Sequence, residues 1–286
     1  MKTNTIKQLA FLIAIIIGIA FCLCAYSNVL PLAQSLPASA FFSAGYAGGT
    51  YIETQTEEIV YDHKTEDKQS LGSSFPDYFN TSSQLTNSCA NVAGANVIGY
   101  YDRHLENLIP GYTPGRARGE SYSYYPMNVQ PEKKQAVINE LYSLMGTNSV
   151  ENGTSYDQYK TGLDAYVAAQ GYTAAHSSVM SGGNLNLNAV SESITAGRPV
   201  VLFLSGYNIT SLSGQSGKDT YVKMIYGGNH MIVVYEINTI RYYNAADQLI
   251  AVKTIMHAAT GFNDVKGYYI VDNNGSVVNA EAVTIN

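Results

Sequence analysis

The hydrophobic pattern begins with one unbroken block. Lys2 and Lys7 precede the apolar run Leu9–Ala25 (LAFLIAIIIGIAFCLCA), and the small-residue triplet Ala38-Ser39-Ala40 follows. A basic start, an apolar centre and a small-residue exit mark residues 1–40 as a secretory signal peptide. An uncleaved anchor is the competing reading, because the run is at the lower limit of a membrane span and the stretch to Ala40 is long. Residues 41–80, which include TEEIVYDHKTEDK, show no helical period and are expected as an extended leader or covering segment.

Residues 81–286 read as the folded domain. From Cys89, the positions Val92, Val97, Ile98, Tyr101, Leu105 and Leu108 roughly follow one helical face until Pro110-Gly111. Further helices are expected at 131–145, opened by Pro131 and stopped by Gly146, at 156–170 before Gly171, and near 188–196. After Gly197 the pattern changes to short β-type runs at 198–204, 221–226, 230–240, 249–259 and 268–271, separated by GGN, NAADQ and GFNDVKG. Helices followed by strands imply an α+β architecture in two lobes.

Charge and cysteine content narrow the function. The chain carries 16 Lys+Arg against 22 Asp+Glu, a net charge of -6, which is the wrong sign for a nucleic-acid binder. Loss of residues 1–40 would remove Lys2 and Lys7, leaving -8, and would also remove Cys22 and Cys24. Cys89 would then be the sole thiol, with no internal disulfide to make. No His pair has metal-ligand spacing and no Gly-rich phosphate loop follows a strand, so neither metal nor cofactor is expected.

The candidate chemistry centres on that thiol. A helix N-terminus favours a thiolate through its unpaired N–H groups and dipole, and Cys89 is expected to open a helix. His230 follows Gly227-Gly228-Asn229 and opens the apolar strand MIVVY, which places a base candidate at a strand's mouth. The other histidines fit less well: His63 lies in the charged leader, His104 on a polar helix face, His176 in the loop-like AAHSSVM and His257 inside a strand run.

These residues resemble a known family. The segment QLTNSCANVAGANVIGYYD (84–102), with a Gln five residues before a helix-opening Cys, is similar to the active-site helix of papain-like cysteine peptidases. GGNHMIVVYEI (227–237) resembles their His strand and TGFNDVKGYYIV (260–271) the turn and strand that follow. The nearest likeness is to the bacterial branch that includes peptidases processing bacteriocin leaders. The 141 residues between Cys89 and His230 agree with the interval of about 130–150 in full-length papain-like proteases. The resemblance implies a helical lobe, led by the active-site helix, packed on an antiparallel β-sheet lobe. It also implies a peptide or protein substrate, with Cys89 as nucleophile, His230 as base and acid, and Gln84 with the Cys89 N–H holding the oxyanion.

A third residue should orient the imidazole. If the His230 strand and the 249–259 strand pair about NAADQ, position 230 faces about position 261. Thr260, Asn263 and Asp264 are the polar residues there. Relatives often carry Asp where this chain has Thr260, so Asn263 or Asp264 is expected in the role, with Asn244 as the fallback for a hairpin turning at Asn238-Thr239 and Asp272 more remote. Many relatives also have Gly where this chain has Ala90. The alternative function is a papain-fold binding or adhesion module at the cell surface with weak or no catalysis. A membrane contact is expected only through an uncleaved N-terminal segment.

Overall fold

The computed structural model describes residues 50–112, 129–262, 268–271 and 277–286. The expected signal segment and the candidates Asn263, Asp264 and Asp272 lie outside the described residues. The architecture is α+β, with four helices among the described residues and one large antiparallel sheet.

Helix α1 (Cys89–Tyr101) is buried on all sides from Ala90 onward, which explains its uniformly apolar and small residues. Its two internal asparagines are satisfied rather than orphaned. Asn96 pairs with the backbone of Tyr78 through N–H···Oδ1 (2.7 Å) and Nδ2–H···O (3.2 Å), and Asn91 donates to Thr147 Oγ1 (3.0 Å). These bonds tie the segments on either side of α1 to it. The helix stops at Tyr101, earlier than the sequence pattern suggests, because the Asp102 carboxylate turns back to accept the Ile109 N–H at 2.7 Å and closes a separate turn.

Helices α2 (Pro131–Leu144) and α3 (Tyr156–Ala169) pack on α1, with Leu141, Met145, Tyr159, Leu163 and Tyr166 in the shared core. Proline opens α2. A reciprocal capping box opens α3, in which Ser155 Oγ accepts the Gln158 N–H and Gln158 Oε1 accepts the Ser155 N–H. Helix α4 (Leu187–Thr195) is capped by Asn186. Among the described residues no helix is long and apolar enough to cross a membrane.

The strands are β1 (Thr50–Val60), β2 (His63–Ser70), β3 (Ala174–Ser178), β4 (Met180–Ser181), β5 (Asn184–Leu185), β6 (Val200–Gln215), β7 (Lys218–Tyr243), β8 (Leu249–Ala259), β9 (Tyr268–Val271) and β10 (Val277–Ile285). The main sheet runs β1-β7-β8-β9-β6-β10-β3, with β2 and β6 also paired to β7, while β4 and β5 form a separate two-stranded ribbon. Because β9 bridges β8 and β6, the pairing returns to β7. The face carrying Val201, Phe203, Met231, Val233 and Val283 covers α1, α2 and α3.

Three features differ from the sequence pattern. Gly227-Gly228 does not end a strand: β7 continues through it as a bulge opposite Gly206, with Gly206 at φ +59° and Gly228 at φ +97°, values that favour glycine. The AAHSSVM segment is no loop, since β3 pairs with β10. Residues 50–70, expected as an extended segment, are two strands hydrogen-bonded to opposite halves of β7.

Candidate active site

The approach to α1 is fixed by Asn80. Its Nδ2 donates to the carbonyls of Ser82 (3.0 Å) and Leu85 (3.1 Å) and to Ser88 Oγ (3.1 Å), while Oδ1 accepts the Ser82 N–H (2.9 Å). Cys89 then stands as the first residue of α1, half-buried, with part of its surface in a cleft of about 720 Å³. The backbone N–H groups of Met231, Ala90 and Cys89 favour its thiolate, yet burial outweighs them and raises the thiol pKa. The sequence argument for a lowered pKa is therefore corrected: the helix start is there, but removal of water from the sulfur dominates.

His230 lines the same cleft and is only 5% exposed. The bulge at Gly227-Gly228 immediately before it re-aims β7 at this point. Its ring lies between two aromatic faces, Tyr207 (centroids 5.2 Å apart, planes 20°) and Phe262 (4.8 Å, 12°). Nε2 is 2.9 Å from the Thr260 carbonyl oxygen, which can only accept, so Nε2 carries the proton. Nδ1 is left with a lone pair, buried and without a hydrogen-bond partner. Burial lowers the His230 pKa to about 4, against the opposing pull of the Thr260 carbonyl. At neutral pH both thiol and imidazole rest uncharged.

The turn that carries the Thr260 carbonyl is tightly built. Thr260 Oγ1 accepts the Phe262 N–H at 3.2 Å, and Gly261 sits at φ +71° where an added Cβ would come within 2.9 Å of Val92 Cγ1 on α1. The pairing of β7 with β8 ends at Val233 opposite Ala259, so the strand geometry brings residues just past 259 over His230. What orients the imidazole among the described residues is thus a main-chain oxygen of Thr260.

The remaining expected residues divide sharply. Gln84 is exposed, its N–H bonded to Ser82 Oγ (3.3 Å), and it does not line the cleft; Asn87 does. Asn244 sits in the β7–β8 turn, where its Oδ1 accepts the N–H groups of Ala246 and Gln248 at 3.0 Å. That location, fourteen residues along β7 from His230, removes it from the imidazole. Sequence reasoning did not find Asn87, Tyr156, Tyr207 or Phe262. For Asn87 the available signal was a turn-forming residue two positions before the thiol.

A second polar cluster stands behind the cleft wall. Tyr156, which lines the cleft, donates to Glu281 Oε2 (2.6 Å); Glu281 Oε1 meets His176 Nδ1 (2.6 Å), and His176 Nε2 meets Asp164 Oδ1 (2.9 Å). Glu281 is fully buried. Burial alone would lower the His176 pKa, but the two carboxylates outweigh it and raise the value. Among the described residues no group of three or more His, Cys, Asp or Glu is placed to hold a metal ion. Compared with known proteins, the chain matches no family model and no curated protein.

Proposed function

We propose that the chain is an exported thiol peptidase with the two-lobed arrangement of the papain-like family, cleaving peptide bonds through an acyl-enzyme at Cys89. One observation carries this reading: the unpartnered, buried Nδ1 of His230, held in the correct tautomer by the Thr260 carbonyl, in the cleft that Cys89 also lines. A buried imidazole nitrogen without a partner costs stability, and a thiol to deprotonate accounts for that cost.

The chemistry starts from a neutral pair. As the sulfur attacks the substrate carbonyl, the S–C bond forms, the thiol proton passes to Nδ1 and the carbonyl π electrons move to oxygen. The resulting imidazolium donates from Nε2 to the Thr260 oxygen, the contact that favours the cation against burial between Tyr207 and Phe262. Collapse of the tetrahedral species breaks the C–N bond, and the leaving amine takes the proton from Nδ1. Water then attacks the thioester carbonyl, giving a proton to Nδ1; collapse of this second tetrahedral species breaks the C–S bond, releases the carboxylic acid product and returns the Nδ1 proton to sulfur, which restores the thiol. In the resting structure Nδ1 has no hydrogen bond, so the proposed contact with the thiol is made in the substrate complex.

The raised thiol pKa favours a competing reading, a binding module that keeps the cleft without catalysis. Incubation with a mixed peptide library, read by mass spectrometry, separates them. The peptidase reading expects cleavage that is abolished in Cys89→Ala and in His230→Ala; unchanged peptides with saturable binding support the module.

A further inference from the structure

We propose, on the basis of the thiol-peptidase reading, that Asn87 supplies the side-chain donor of the oxyanion site and that Asn148 is the residue that positions it. Asn87 lies two residues before the nucleophile and lines the cleft shared by Cys89 and His230, whereas Gln84 lies outside it. Both asparagines adopt left-handed backbone conformations, Asn87 at φ 56° and Asn148 at φ 63°. Such conformations persist where surrounding bonds hold them.

Those bonds also decide which way each amide faces. The Gly153 N–H approaches Asn148 Oδ1 at 2.6 Å, and because an N–H can only donate, that atom is the oxygen. The Asn148 Nδ2 end correspondingly donates to Tyr142 Oη (2.7 Å) and the Thr86 carbonyl (3.2 Å). Asn148 Oδ1 therefore faces Asn87 as an acceptor, and the Asn87 atom 2.8 Å away is the amide nitrogen. The second N–H of that amide has no hydrogen bond among the described residues. An oriented, half-spent amide donor thus belongs to a residue that lines the cleft two positions before the first residue of α1. The unpartnered Nδ1 of His230, 5% exposed in the same cleft, independently marks the place as one where a ligand reacts.

In the acylation step the oxygen that receives the carbonyl electrons is held by Asn87 Nδ2–H and by a first-turn N–H of α1. Preorganised donors of this kind act only where negative charge develops.

The test compares two reactions of the same thiol in the full chain. Acylation of Cys89 by a p-nitrophenyl ester of an N-acyl amino acid forms an oxyanion and releases p-nitrophenolate. Alkylation by iodoacetamide expels iodide from a saturated carbon and forms none. Asn87→Gly keeps the positive φ while deleting the amide, and Asn87→Asp keeps the shape while replacing the donor with an anionic oxygen. Both are expected to slow acylation by roughly 10²–10³-fold, the loss typical of one oxyanion donor, with alkylation unchanged in Asn87→Gly, while Asn87→Asp, whose carboxylate faces Asn148 Oδ1, also lowers the melting temperature. Asn148→Ala is expected to slow acylation by a smaller factor with the same selectivity, and Gln84→Ala to change neither reaction. Acylation at the wild-type rate in Asn87→Gly, or an equal fall in both reactions, overturns the assignment while leaving the peptidase reading in place. A wild-type chain that the ester does not acylate overturns both.

Discussion

A histidine sealed between two aromatic rings is a poor proton acceptor until something draws the proton to it. Burial pushes the His230 pKa down to about 4, so the ring is neutral at physiological pH and, in the proposed reaction, proton transfer accompanies attack by Cys89. Its effect on stability has a definite sign. The unfolded imidazole takes up a proton near pH 6.5 and the folded one only near 4, so this contribution is complete above 6.5 and is lost as pH falls toward 4. The difference is worth about 3 kcal/mol. Urea unfolding at pH 7 and pH 4.5 should show the wild type losing about 2–3 kcal/mol more than His230→Gln over that interval; parallel losses would mean that the imidazole is not buried in its neutral form. Cys89 was legible as a helix start, whereas the Gly-flanked strand start read at His230 is a bulge inside the continuous β7. The Thr260 carbonyl left no mark in residue order, since every residue has one.

At the scale of elements, caps and glycines carried most of the readable information. Pro131, Gly146 and Gly171 mark helix ends in the sequence, and the structure adds the Ser155–Gln158 box and the Asn186 cap at two further starts. The continuity of β7 was hidden, because Gly-Gly-Asn has the composition of a turn and becomes a bulge only when β6 pairs on both sides of it. Strand β10 was hidden for a related reason: Glu281 breaks its apolar run, and the Tyr156 and His176 groups that allow a fully buried carboxylate lie 125 and 105 residues away. The turn after β8 offers a direct test of element packing. Gly261→Ala forces a Cβ against Val92 at a positive φ, and should cost about 1–3 kcal/mol and lower activity by displacing the Thr260 carbonyl. Gly171→Ala has a comparable φ of +86° but open space around it, and should cost about 1 kcal/mol with activity retained. Equal activity in the two variants, measured with thermal melts, would show that the 260–262 turn does not position the imidazole.

At the scale of the described molecule, α1, α2 and α3 pack on one face of the antiparallel sheet, and two residues 141 positions apart line one cleft. The α+β class was readable from the order of helical and β-type runs. The way β1 and β2 continue the two edges of β7 was not, because edge pairing is decided by partners distant in sequence. The Tyr156–Glu281–His176–Asp164 chain then joins α3, β3 and β10 behind the cleft wall, so the sheet and the helices hold the site from both sides. Under the proposed function, this arrangement makes the half-buried Cys89 thiol a nucleophile through His230. The most direct measurement is the second-order rate of Cys89 modification by a peptidyl chloromethyl ketone near pH 7, in the wild type and in His230→Ala. The account predicts a wild-type rate above that of a free thiol and a fall of about 10²–10⁴-fold without the imidazole, the range of general-base assistance. An ordinary thiol rate that is unaffected by loss of His230 would contradict it.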